Sequence, residues 1–200
     1  MDFTEITANL LDLGYEVSSF SDAKKAIAYL DEAIDNKSVG FGGSLTLKDM
    51  GLYEVLSKHN DVHWHWNVED DASPAEILRK NQTCDIYLSS VNALSKKGEI
   101  VNIDGTCNRL SASLFGHEKV YFVIGRNKLA DDLASAIYRA RNVAAPLNAK
   151  RLNKQTPCVV DLKCHDCQAK DRICAALTVL YRKPGKARYE IVLIDEDLGY

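Results

Sequence analysis

Four of the six cysteines fall in one short stretch, "TPCVVDLKCHDCQAKDRIC", residues 156–174. Cys158, Cys164, Cys167 and Cys174 are spaced C-x5-C-x2-C-x6-C. The central C-x2-C lets two thiolates reach one metal from a tight turn, and the outer pair can complete a four-sulfur shell. Soft thiolate ligands select zinc or an iron–sulfur cluster. The spacing does not choose between those two, and His165 can replace one sulfur. We therefore expect a metal-binding loop over 156–174, with an iron–sulfur cluster or zinc as cofactor. Cys84 begins an apolar stretch and reads as a core residue. Cys107 lies in a turn with no base beside it in sequence, so it reads as a buried or half-buried thiol.

Two turns offer a second kind of chemistry. In "GFGGSLT", Gly42 and Gly43 let backbone approach a ligand closely, while Ser44 and Thr46 add hydroxyls. The string is neither a GxGxxG fingerprint nor a Walker loop, so a plain strand-to-helix turn capped by Ser44 fits it equally well. In "NIDGTCNRL", Asp104-Gly105 makes a tight turn and Asn108-Arg109 opens a helix. Arg109 can grip a carboxylate with two parallel hydrogen bonds, and Asp104 can act as acid or base. The competing reading is an Asp-Gly turn with a solvated arginine. "GRNK" follows an apolar strand and adds Asn127 and Lys128 to the candidates, and Asn92 in "SSVNALS" joins the binding set. Catalytic candidates are Asp104, Arg109 and Lys128. The pair His63 and His65 in "HWHW" reads as a polar strand face backed by Trp64 and Trp66.

These residues need a frame. A chain of 200 residues with 46% hydrophobic content suits one domain, or one domain plus an appendage. A net charge of −3 predicts no general attraction to nucleic acid or to an anionic membrane. The acidic start, "MDFTEITANLLDLGYEV", lacks a signal-peptide pattern, and no apolar run approaches a membrane span. The expected location is cytoplasmic, where thiols stay reduced.

Helices are expected over "SDAKKAIAYLDEAI", with the apolar stripe Ala23, Ala26, Ile27, Leu30 and Ile34, and over "LTLKDMGLYEVLSKH" to near Asn60. Further helices are expected over "AEILRK", opened by Pro74, and over "DDLASAIYRARNVAAP", ended by Pro146. Strands are expected at "SVGF", "DVHWHWNV", "CDIYLSSV", "GEIVNIDG", "KVYFVIG", "ALTVLYRK" and "RYEIVLIDE". The turn "KPGKA" predicts that the last two form an antiparallel hairpin. Alternating strands and helices imply a three-layer α/β fold, a mainly parallel sheet with helices on both faces. In such sheets ligands bind beyond the carboxyl ends of the strands, which is where both turns belong.

The strings "GFGGSLTLKDMGL", "VNALSKKGEIVNIDGTCNRLSASLFGHEKVYFVIGRNKL", "RARNVAAPLNAKRL" and "DEDLGY" together resemble the LUD family, the lactate-utilisation domain proteins. The resemblance spans roughly residues 38–200, which leaves 1–37 as an N-terminal helical segment. It implies a fold like that of sugar-phosphate isomerases and CoA-transferases. It also implies a role as subunit or accessory protein of an iron–sulfur system that oxidises L-lactate to pyruvate. The implied partners are a small carboxylate metabolite and iron–sulfur proteins of a lactate oxidation complex. The alternative is a free-standing enzyme or binding protein for a small anionic metabolite, with a structural zinc. The family's "DGTGNR" reads "DGTCNR" here, with Cys107 in place of glycine.

Overall fold

The computed structural model describes residues 1–67 and 73–200. Its strands are β1 (Glu16–Phe20), β2 (Ser38–Phe41), β3 (Asp61–Trp64), β4 (Ile86–Ser89), β5 (Ala93–Ser95), β6 (Ile100–Asp104), β7 (Lys119–Gly125), β8 (Leu129–Ala130), β9 (Ala176–Leu180) and β10 (Arg188–Ile194). Six of them form a parallel sheet in the order β1-β10-β7-β4-β2-β3. All seven residues of β7 are buried, as a central strand covered on both faces requires. A smaller mixed sheet has the order β8-β5-β6-β9.

The helices are α1 (Thr4–Asp12), α2 (Ala23–Ala33), α3 (Leu45–Asp49), α4 (Leu52–Leu56), α5 (Pro74–Lys80), α6 (Asn108–Leu114), α7 (Leu133–Arg139), α8 (Ala145–Arg151) and α9 (Cys158–Asp161). Asp22 caps α2 by accepting from the Lys25 amide. Ser73 and Glu76 close a capping box around Pro74 at the start of α5. Ala26 and Leu30 of α2, with Leu47, Leu52 and Leu56, pack on one face of the parallel sheet against Phe41, Leu88, Val123 and Val192. On the other face, Ile6 and Leu10 of α1 and Leu94 and Ile100 of the small sheet meet Tyr87, Phe122, Ile191 and Leu193. Ala136 and Ala140 then cover the far side of the small sheet at Ala93 and Val101. The result is an α/β fold with a mainly parallel sheet, helices on one side, and helices plus a second sheet on the other.

Several local expectations are corrected. The last two strands do not form a hairpin. β9 pairs antiparallel with β6, while β10 inserts in parallel between β1 and β7. Six of the seven β10 residues are buried, which suits an interior strand, whereas β9 leaves Leu177 exposed. The first 37 residues are not a separate helical segment, because β1 is an edge of the main sheet. The expected helix over 45–59 breaks at Gly51, whose φ of +65° no helix interior accepts. Pro146 does not end its helix. Residues Ala140–Ala144 widen into a π turn, and Pro146 sits in the first turn of α8, where a missing N–H costs nothing. The "HWHW" strand stops at Trp64 and turns, and Val68 of that string lies outside the described residues.

Two charged side chains lie inside the sheet. Lys119 Nζ is 2.6 Å from Glu190 Oε2 and 3.0 Å from Glu16 Oε2. Glu190 Oε1 also accepts from Ser18 Oγ and Tyr29 OH. This network ties β1, β10, β7 and α2 together.

Candidate anion-binding site

A cavity of about 270 Å³ opens at the carboxyl ends of the parallel strands. Gly43, Ser44, Leu45 and Thr46 reach it after β2, and His65 and Trp66 after β3. Ser90, Val91 and Asn92 follow β4, and Lys128 follows β7. The turn after β6 adds Asp104, Gly105, Thr106, Asn108 and Arg109 from the second sheet. The two turns singled out in the sequence therefore face one cavity.

Lys128 is the unusual residue. It is only 3% exposed, and its ammonium donates to Thr46 Oγ1 and Ser90 Oγ, each at 2.8 Å. Both partners are neutral hydroxyls, and no salt bridge reaches Lys128 among the described residues. Burial, together with the nearby Arg139 and Arg109 guanidinium groups, pushes its pKa down to about 7. An ammonium with two neutral partners keeps a donor and most of its charge for a third group.

Arg109 is differently engaged. Its Nη1 donates to Asn102 Oδ1 at 2.6 Å and to the Ser90 carbonyl at 3.2 Å. Its Nη2 donates to the Ile103 carbonyl at 2.7 Å and to Asn92 Oδ1 at 3.2 Å, and Nε lies 3.7 Å from Asp104 Oδ2. The planar fork that suggested a carboxylate grip is spent on the protein's own acceptors. Arg109 staples the β4 and β6 ends together and lends the cavity positive charge rather than free donors. Asp104 is likewise a turn-former: its Oδ1 accepts from the Thr106 and Cys107 amides. Asn92 lines the cavity while its Oδ1 accepts from the Ile103 amide.

The other candidates divide. Gly43, Ser44, Gly105 and Asn108 line the cavity. Gly42 does not, because its bare α-carbon packs on the protein; a Cβ there would meet Tyr87 OH at 2.7 Å and Ser89 Oγ at 2.8 Å. Asn127 faces the C-terminal tail instead, donating to the Gly199 carbonyl and accepting from the Leu198 amide. Cys107, outside the cavity, has φ +64°, the left-handed backbone that glycine fills without strain.

Sequence reasoning missed the rim. Arg151 stacks over the Trp66 ring at 5.0 Å and donates to Tyr200 OH, which in turn donates to Asn148. His65, read as part of a strand face, turns into the cavity, and its Nδ1 is buried without a partner among the described residues. Desolvation lowers its pKa, which favours the neutral imidazole. The available signal was the terminal "DLGY", whose strap returns Tyr200 to the cavity.

The four clustered cysteines are free thiols. Among the described residues no group of three or more His, Cys, Asp or Glu side chains is disposed to hold a single metal ion, and the four thiols line one cavity of about 300 Å³ with Arg141, His165, Asp166 and Arg172.

No helix among the described residues is long and apolar enough to cross a membrane. Residues 3–194 match the LUD domain family. A solved structure of a DUF162 family protein from Deinococcus radiodurans is similar, with a TM-score of 0.54 at 14% identity. The alignment covers 97% of this chain and 99% of that one, and at such identity it speaks for the fold alone. No curated protein matches the chain.

Proposed function

The chain belongs to the LUD domain family, which is associated with lactate utilisation, and from that premise we propose that its cavity binds a small 2-hydroxy or 2-oxo carboxylate. In this reading the protein is a subunit or accessory protein of an iron–sulfur system that oxidises L-lactate to pyruvate.

The observation that carries the reading is Lys128. A buried cation with no anionic partner among the described residues is costly, and a bound carboxylate removes that cost. Arg109 and Arg139 reinforce the attraction from behind without competing for the ligand's oxygens. His65 Nδ1, without a partner among the described residues, supplies a polar contact for the ligand's hydroxyl or carbonyl oxygen. A cavity of about 270 Å³ suits a metabolite of a few heavy atoms; drug-sized ligands occupy roughly 300–1,000 Å³.

The test is calorimetry with L-lactate, pyruvate and the neutral analogue lactamide, on wild type and Lys128→Met. Wild type should bind the acids and not the amide. The variant should lose about 1.5–3 kcal/mol of acid binding, the scale of one charge-assisted hydrogen bond. Equal affinity for acid and amide, or unchanged acid binding in Lys128→Met, would refute the site.

A further inference from the structure

We propose that Cys158, Cys164, Cys167 and Cys174 bind an iron–sulfur cluster, so that this chain carries a one-electron carrier of its own beside the carboxylate pocket. The proposal goes beyond the functional reading above, which assigns no cofactor to this chain itself.

The first argument is the donor set. Cys158 opens α9, Cys164 and Cys167 lie in the loop that follows, and Cys174 stands just before β9. Within that loop Asp166 takes a left-handed turn, φ +47°, and the thiols on either side of it face the same cavity. Four thiols on one cavity wall, none in a disulfide, match an all-sulfur shell.

The second argument is size. Among the described residues the thiols form no single-ion site, yet all four line one shared, partly open cavity of about 300 Å³. One zinc ion draws four sulfurs to about 2.3 Å from a single point. A cluster of several irons and sulfides holds its thiolates further apart, around a volume rather than a point. A cavity of this size, lined by all four thiols, therefore favours a cluster over zinc.

The third argument is charge. A cluster with four thiolate ligands is a net anion, and burying it needs cations. Arg141 Nη2 lies 3.7 Å from Cys164 Sγ. Arg172 donates to the Cys167 carbonyl at 2.6 Å and to the Cys174 carbonyl at 3.0 Å, which pins the backbone on both sides of the cavity.

Position gives the cluster a purpose. Ile103 and Ala145 line both this cavity and the carboxylate pocket. The Ile173 carbonyl, one residue before Cys174, lies 2.9 Å from where a Cβ on Gly105 would stand. Gly105 thus lets the cysteine segment press against the ligand-binding turn, leaving a single wall between the two sites.

The test uses the whole chain, produced and purified without oxygen, and needs no carboxylate ligand, so its failure is separate from failure of the pocket. Iron, acid-labile sulfide and zinc are assayed, and the visible spectrum is recorded before and after dithionite. Iron and sulfide in equal amounts, about four each per chain for a cubane cluster, with a broad absorbance that dithionite bleaches, are expected. Cys164→Ser and Cys174→Ser should lose most of that absorbance. Stoichiometric zinc without iron would overturn the proposal. So would a colourless protein that takes up no iron and sulfide on anaerobic reconstitution. If the serine variants fail to fold, the metal and sulfide content of the wild type decides alone.

Discussion

A buried lysine amine held between two hydroxyls destabilises the unliganded protein when it is protonated. Its pKa in the fold, about 7, lies below the value of an unfolded lysine, roughly 10.4. Between those values the unfolded chain binds more protons, so stability should rise with pH. Below about pH 7 both states carry the proton and the full penalty applies. Lys128→Met should therefore raise the melting temperature at neutral and lower pH, by the equivalent of about 1–4 kcal/mol, and flatten this rise. Thermal melts across the range check it; a variant less stable than wild type at pH 6 would show that Lys128 is already compensated. Cys107 offers a second residue-scale test. A side chain in left-handed backbone costs about 1–2 kcal/mol, partly offset by glycine's larger unfolded-state entropy. Cys107→Gly should stabilise by about 0.5–1 kcal/mol, and a destabilised variant would mean that the thiol packs better than its backbone suggests. The sequence drew attention to the right turns but weighted their residues differently. Arg109 looked like the carboxylate clamp because its fork fits one. Asn92 and Asn102, which take that fork, come from a different strand end and from within β6, and their proximity is a tertiary fact. Lys128 was legible as a cation after a strand, while its lack of an acidic partner among the described residues was not.

At the scale of elements, period and composition identified most strands and helices, since β7 and α2 carry their burial pattern in their own residues. Partners were harder. "KPGKA" is a local turn signal, and it cannot tell that β10 is apolar enough to lie between β1 and β7 while β9 is claimed by β6. Pro146 misled in the same way: a proline that ends a regular helix is tolerated where a π turn precedes it. The buried pair Lys119–Glu190 was invisible, because its members sit 71 residues apart on neighbouring strands. Lys119→Met leaves the Glu190 carboxylate, 2% exposed, without its cation. That should cost roughly 3–5 kcal/mol, while the double variant Lys119→Met/Glu190→Leu should recover most of it. Urea unfolding of the three proteins measures this. A single variant within about 1 kcal/mol of wild type would mean that Ser18 and Tyr29 alone satisfy Glu190.

Across the whole molecule, the parallel sheet gathers the ends of β2, β3, β4 and β7 at one edge, and the second sheet swings the β6 turn and the cysteine segment against it. This arrangement sets a positive pocket and a four-thiol cavity side by side, an architecture whose two halves are separately testable. The central claim is that Lys128 receives a carboxylate. If it does, binding must favour the protonated amine and raise its pKa from about 7. The direct measurement is calorimetric titration of pyruvate and L-lactate into wild type, at several pH values from about 6 to 9 and in buffers of different ionisation enthalpy. Above pH 7 affinity should fall by up to about tenfold per pH unit, with uptake approaching one proton per ligand, and Lys128→Met should abolish the uptake. Affinity that stays flat across this range, or proton uptake that survives in Lys128→Met, would contradict the account.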